Sequence, residues 1–157
     1  MSKIKSVLLV CTGNSCRSVM AEGLLKKYLK DSGTDDIEVT SAGVCAMDGA
    51  SPTIETIEVM KEEGVDVSGF RSKSLTDGLI KKADLILVMS AQHMDDIINR
   101  VPDAASKVHM LRQYGLKCES GACDDLDIPD PISMPKPFYQ RVLLEIKKET
   151  KRIAEIL

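Results

Sequence analysis

Aromatic residues are nearly missing from this chain of 157 residues: there is no Trp, and two Phe and three Tyr make up the whole set. The core has to be assembled from Leu, Ile, Val, Met and Ala, and recognition by stacking on rings has little to work with. Positive charge is not in excess either. Lys and Arg number 21 against 24 Asp and Glu, a formal net charge of -3, so no basic field exists to gather nucleic acid or an anionic membrane. No apolar run approaches the roughly 20 residues that span a bilayer. The longest, Val7 to Cys11 and Leu85 to Met89, have the length of strands. The N-terminal Met-Ser-Lys-Ile-Lys lacks the apolar stretch of a signal peptide, and a cytoplasmic protein is expected. Five cysteines, an odd number, in a chain without an export signal argue against a disulfide framework and leave at least one thiol free.

What is present is the composition of a folded protein, 43% hydrophobic and 29% charged, at a length that suits one domain spanning residues 1–157. Ile4 to Val10 is an apolar, β-branched run that ends at a loop with Gly13 and Asn14. Met20, Leu24, Leu25, Tyr28 and Leu29 follow at helical spacing. Ile37 to Ser41 alternates like a strand, and Gly43 to Gly49 reads as a loop. Pro52 is expected in the first turn of a helix carrying Ile54, Ile57, Val59 and Met60, which Gly64 stops. A short helical stretch at Leu79 to Ala83 precedes a buried strand at Asp84 to Met89. Ser90 is expected to cap a helix with Met94, Ile97 and Ile98 that ends before Pro102. Val108 to Leu111 is a last short strand, and Cys118 to Pro137, rich in Asp, Pro and Gly, is a long loop of the functional kind. An amphipathic helix closes the chain from about Phe138 to Leu157.

Strands alternating with helices imply parallel pairing through crossovers. The expected fold is an α/β domain of three layers, a four-stranded parallel sheet flanked by helices. Ligands in such sheets gather beyond the carboxyl ends of the strands, which directs attention to the residues after Val10.

The loop Cys11-Thr-Gly-Asn-Ser-Cys-Arg-Ser18 runs from the end of a strand to the start of a helix, so its backbone N–H groups can converge on one anion. Gly13 permits a conformation closed to other residues. Asn14 and Ser15 can brace the loop, and Arg17 offers a planar fork for two phosphoryl oxygens. Thr12 and Cys16 complete the loop. Cys11 at its base meets a helix N-terminus, N–H donors and a guanidinium, all of which favour the thiolate. Ser18 is placed to donate to that sulfur and to ease its departure. The pattern Gly-x-x-x-x-Gly-Lys-Ser/Thr does not occur, which excludes a nucleotide loop of that type.

Residues 7 to 22, Val-Leu-Leu-Val-Cys-Thr-Gly-Asn-Ser-Cys-Arg-Ser-Val-Met-Ala-Glu, resemble the signature of the low-molecular-weight protein-tyrosine phosphatases. Ser41-Ala-Gly43, Ala83-Asp-Leu-Ile-Leu87 and Asp130-Pro131 extend the resemblance over nearly the whole chain. It implies Cys11 as nucleophile, Arg17 as binder of the phosphoryl group, and Asp130 as general acid. Thr12, Gly13, Asn14, Ser15, Cys16 and Ser18 contact the substrate, and Ser41 braces Asn14 from behind. The residues support these roles: phosphomonoester cleavage needs a nucleophile, stabilisation of the equatorial oxygens and a proton for the leaving oxygen. Pro131 stiffens the loop at Asp130, whereas Asp124, Asp125 and Asp127 read as solvated loop carboxylates. No metal or cofactor is called for. The substrate is a phosphorylated protein or peptide, phosphotyrosine foremost, and the chain is expected to act as a monomer.

Three other activities fit parts of the pattern. Protein-arginine phosphatases carry a small β-branched hydroxyl residue where Ser15 stands, a spot that tyrosine-directed relatives often fill with a larger aliphatic. Thioredoxin-coupled arsenate reductases share the loop, but their further cysteines follow the strand that here is Leu85 to Met89, and Ser90 to Ile98 contains none; Cys118 and Cys123 lie elsewhere. A module that recognises phosphate without turnover is the non-enzymatic reading. Tyrosine-directed relatives place aromatic rings where this chain has Ala46, Met47 and Asp48, and again at Ile132 and Ser133. Phe70 stands where many relatives have a His that helps brace the loop Asn, which leaves that contact open. Cys16 is read either as packed loop or, by the resemblance, as the partner of Cys11 in a reversible disulfide. A zinc site from Cys118, Cys123 and His109 lacks a second paired set of ligands. His93 and His109 receive no role beyond surface or capping positions.

Overall fold

The computed structural model describes residues 3–116 and 126–157. Among these, four strands alternate with helices: β1 (Ser6–Cys11), α1 (Arg17–Asp31), β2 (Glu38–Gly43), α2 (Ile54–Glu62), α3 (Asp77–Lys82), β3 (Leu85–Val88), α4 (Ala91–Arg100), β4 (Val108–Met110) and α5 (Lys136–Ile156). The strands pair in the order β2-β1-β3-β4, all parallel. The expected sheet and its helical crossovers are therefore present.

β1 and β3 read as unbroken apolar runs because both of their faces are covered. Val7, Leu9 and Cys11 of β1, with Leu85 and Leu87 of β3, face a core that takes in Leu24 of α1, Met60 of α2 and Ile146 of α5. Leu8 and Val10, with Ile86 and Val88, face the opposite core, where Ile80 of α3 and Ile97 of α4 pack. The alternation splits one run of sequence between two cores and produces the three layers.

Caps set the helix boundaries. α2 starts after Pro52, not at it, because Thr53 takes the cap position and its Oγ1 accepts from the Thr56 N–H at 3.3 Å. The helix ends as expected at Gly64, whose φ of +79° lets the Val65 N–H return to the Met60 carbonyl at 3.0 Å. Ser90 caps α4 through the His93 N–H at 3.4 Å. α5 begins at Lys136, ahead of the expected start at Phe138, with Pro137 inside its first turn; a ring there removes only an N–H with no partner in the helix. A 3-10 turn over Pro102–Lys107 leads into β4 where the sequence suggested no element. No helix among the described residues is long and apolar enough to cross a membrane.

The chain runs from β1 out to β2 on one side, and β3 pairs with β1 on the other. Crossovers therefore diverge at the carboxyl end of β1, the place where an open parallel sheet leaves a crevice. Cys11 is the last residue of β1 and Gly43 the last of β2, and the two are paired in register. Gly43 has no room for a side chain: a Cβ there would sit 2.5 Å from the Thr12 carbonyl oxygen and 2.9 Å from the Asn14 nitrogen. Replacing Gly43 with Ala is expected to push the loop after β1 off its seat and to cost about 1–3 kcal/mol. Urea denaturation of the Gly43→Ala variant reads this directly, and an unchanged midpoint would mean that the loop is free to shift.

Candidate active site

Residues 11–18 leave β1 and enter α1, and their backbone hydrogen bonds divide in an uneven way. The carbonyls are tied down from outside. Cys11 O accepts from Val44 N at 3.0 Å, Thr12 O from Cys45 N at 2.8 Å, Asn14 O from Ser72 Oγ at 2.5 Å and Ser15 O from Thr53 N at 3.2 Å. Among the described residues, the N–H groups of Gly13, Ser15, Cys16, Arg17 and Ser18 make no hydrogen bond. The side chain of Cys16, at the cap position of α1, does not close that helix end. Unpaired donors at the start of a helix make a cradle suited to an anion with several oxygens.

Asn14 holds this shape. It adopts φ +52°, in the left-handed region that Asn tolerates better than most residues, and it is fully buried. Both protons of its amide are used, one on Ser18 Oγ at 2.8 Å and one on Ser41 Oγ at 3.0 Å. Its Oδ1 accepts from the Lys73 N–H at 3.0 Å. Ser41 therefore does brace Asn14, and its own proton goes to Glu22 Oε1 at 2.9 Å. Phe70 packs at the edge of the core. Buried Ser72 and the Lys73 backbone brace Asn14 from that side, residues the sequence did not single out.

The same bonds govern what Cys11 meets. Ser18 Oγ already accepts from Asn14, so its proton is free for Cys11 Sγ, 2.9 Å away. The Asn14 N–H donates to the same sulfur at 3.3 Å. Cys11 Sγ thus has one backbone donor and one hydroxyl partner. Cys16 Sγ is turned elsewhere: it lies 3.6 Å from Thr53 Oγ1, 3.7 Å from Ser15 Oγ and 3.7 Å from Tyr139 Oη. Tyr139 is buried there, and the loss of water pushes its phenol up to about 12. Cys11 and Cys16 are both free thiols.

Arg17 is buried, and its guanidinium is gripped from two sides. Nη1 donates to the Ile128 carbonyl at 2.9 Å, and Nη2 to Thr12 Oγ1 at 3.3 Å. Asp130, exposed on the facing loop, brings Oδ2 to 3.5 Å from Nη2, while its Oδ1 accepts from the Ile132 N–H at 3.1 Å. A cavity of about 260 Å³ is lined by Cys11, Thr12, Gly13, Ser15, Cys16, Arg17, Cys45, Asp130 and Ile132. Nucleophile, cation and acid candidates thus share one opening. Asp127 is not merely solvated, as its Oδ1 accepts from the Ala91 N–H at 2.9 Å. Asp124, Asp125, Cys118 and Cys123 lie outside the described residues, and with them the zinc reading.

His93 departs from expectation. Far from a surface position, it is buried against the loop, with Nε2 2.9 Å from Thr12 Oγ1 and Nδ1 3.0 Å from Ser90 Oγ. No sequence spacing announces that contact. His109 rests against Tyr114, ring centroids 5.1 Å apart, away from the cavity lining.

A family model described as low molecular weight phosphotyrosine protein phosphatase matches residues 6–157. A protein-arginine-phosphatase of Geobacillus stearothermophilus is 36% identical over 151 residues, covering 96% of this chain and 95% of its own. An arsenate reductase of Brevibacillus brevis is 34% identical over 155 residues, covering 99% and 98%. The crystal structure of a low molecular weight protein tyrosine phosphatase from T. tengcongensis superimposes with a TM-score of 0.86 at 37% identity, covering 97% of this chain and 99% of that one.

Burial, and after it the charge of Arg17, pushes His93 down to about 4 from an ordinary 6.5. Between those values the unfolded chain binds a proton that the folded one refuses, so stability must fall as the pH drops through that window. Replacing His93 with Gln removes this component. Urea titrations from pH 6.5 to 4.5 are expected to show a shallower loss of stability in the variant, whereas parallel slopes would mean that His93 takes its proton while folded.

Proposed function

Because this chain belongs to the low-molecular-weight phosphotyrosine protein phosphatase family, we propose that it hydrolyses phosphotyrosine in proteins, with Cys11 as nucleophile, Arg17 as phosphoryl-binding cation and Asp130 as general acid. It is a cysteine-dependent phosphatase, and the loop 11–18 is the part that binds phosphate. Cys11 Sγ attacks phosphorus, a P–S bond forms, and the P–O bond to the tyrosine breaks. The electron pair left on the phenolate takes its proton from Asp130. The unpaired N–H groups of Gly13, Ser15, Cys16, Arg17 and Ser18, together with the Arg17 fork, hold the equatorial oxygens as their charge changes. In the second step the Asp130 carboxylate takes a proton from water, the water oxygen bonds to phosphorus, and the P–S pair returns to Cys11. The Ser18 hydroxyl eases that return. No metal or cofactor takes part in these steps.

One observation carries the reading: Cys11 Sγ accepts from the Asn14 N–H and lies 2.9 Å from the Ser18 hydroxyl, in a cavity whose wall includes Arg17 and Asp130. An inert buried cysteine would need neither contact. A second reading, phosphoarginine, is favoured by Ser15 and by a mouth lined with Cys45 and Ile132 rather than rings. Met47, where tyrosine-directed relatives carry an aromatic, is 78% exposed.

Rates on a phosphotyrosine peptide test the assignment. Cys11→Ser is expected to lower kcat/KM by at least about a thousandfold, and Asp130→Ala by about a hundredfold or more. A folded protein that binds phosphate but turns nothing over is a recognition module. Arsenate reduction that depends on Cys118 or Cys123 makes it a reductase. The same rates on a phosphoarginine peptide decide the leaving group, and a large advantage there overturns tyrosine.

A further inference from the structure

His93 sits in the first turn of α4, and both ring nitrogens have hydroxyl partners, Thr12 Oγ1 on one side and Ser90 Oγ on the other. A neutral ring completes both contacts in either tautomer, since each hydroxyl can donate or accept. An imidazolium would set a second positive charge beside the buried guanidinium of Arg17. The charged groups facing the ring are Arg17 on the loop, Asp96 on its own helix, and Asp127 and Asp130 on the segment leading to α5. Thr12 Oγ1 is also the oxygen that receives Arg17 Nη2 at 3.3 Å. Arginine only donates, so this oxygen must present a lone pair to Nη2, and the other partner that holds the oxygen in place is His93.

The other hold on Arg17 reaches the same place in the fold. Its Nη1 donates to the Ile128 carbonyl, and the Ile128 N–H donates to the Met89 carbonyl at 2.7 Å. One residue earlier, Asp127 accepts from Ala91 N. Met89, Ala91 and His93 all belong to the junction of β3 with α4. That junction therefore supports the guanidinium twice, through the Asp130 loop and through Thr12.

We propose that His93 is a positioning residue: by holding the Thr12 hydroxyl it sets the Arg17 guanidinium where it can receive a phosphoryl group. This rests on the role given to Arg17 above. His93 touches no reacting atom. Its loss is expected to weaken phosphate binding more than turnover, because the anion must then select Arg17 from several orientations.

Two substitutions separate the contacts. In His93→Asn the amide can still reach Ser90 but not Thr12, while in His93→Gln the longer amide reaches Thr12. Calorimetry with inorganic phosphate gives a Kd without turnover, and p-nitrophenyl phosphate gives KM and kcat. His93→Asn is expected to raise the phosphate Kd and KM about tenfold with kcat within about threefold, and His93→Gln to restore both to within about threefold of wild type. Thr12→Val should match His93→Asn, and the double variant should be no worse. A general loosening would lower kcat through the folded fraction and leave KM alone. That pattern, or a His93→Asn protein with wild-type phosphate affinity, overturns the proposal. If His93→Asn does not fold, Thr12→Val decides: wild-type affinity overturns, a tenfold loss supports. A wild-type protein that binds phosphate without hydrolysis would refute the phosphatase reading while leaving the Kd comparison intact.

Discussion

A loop whose N–H groups are left without partners has no ladder of its own and must be held by its carbonyls and side chains, and in this chain most of that hold passes through Asn14. Its side chain alone joins α1, β2 and the segment around Ser72 to one point, using both amide protons and the carbonyl oxygen. Another residue there would lose on two counts. The left-handed backbone is costly for side chains without a short polar group, and a buried position with waiting donors and acceptors penalises any residue that leaves them unpaired. The neighbours are adapted to the same point: Gly43 leaves the space that the loop backbone occupies, and Ser72 closes the Asn14 carbonyl.

The hold reaches Cys11 as well. Asn14 donates to Ser18 and Ser41; the Ser41 proton goes on to Glu22, and the Ser18 hydroxyl is the hydrogen-bond partner of Cys11 Sγ. A second network, from Ser90 through His93 and Thr12, ends on Arg17. The two networks approach the cavity from β2 on one side of β1 and from β3 on the other, so the divergence of crossovers in the sheet becomes a division of labour, one side steadying the sulfur and the other the guanidinium.

The scarcity of aromatic residues acts at the mouth of the cavity and not at its base. The phosphoryl chemistry proposed for Cys11, Arg17, Asp130 and the loop backbone requires no ring. What rings would add is a wall for a flat leaving group, and here the wall is Cys45 and Ile132. Relatives named for tyrosine, arginine and arsenate chemistry are all similar to this chain over nine-tenths or more of its length.

Much of this was legible in the linear chain. Val7 to Cys11 and Leu85 to Met89 read as doubly covered strands because unbroken apolar runs of that length have little other use. Ser90 and Gly64 marked helix ends through chemistry confined to one turn, and the spacing from Cys11 to Ser18 specified a cradle because those residues are neighbours along the backbone. Helix α2 was displaced from Pro52 only because Thr53 is the better cap. His93, Ser72 and Ile128 were not legible as parts of the site. They reach it across 81, 58 and 111 residues of sequence, and no periodicity or motif carries information over such distances. The sequence by itself determined which groups are available for chemistry at phosphorus, since that depends on residue type, and that residues 11–18 form one loop, since that depends on local spacing. Only the tertiary structure decided which partners those groups meet and what holds Arg17, because those depend on side chains that packing brings together from separate elements.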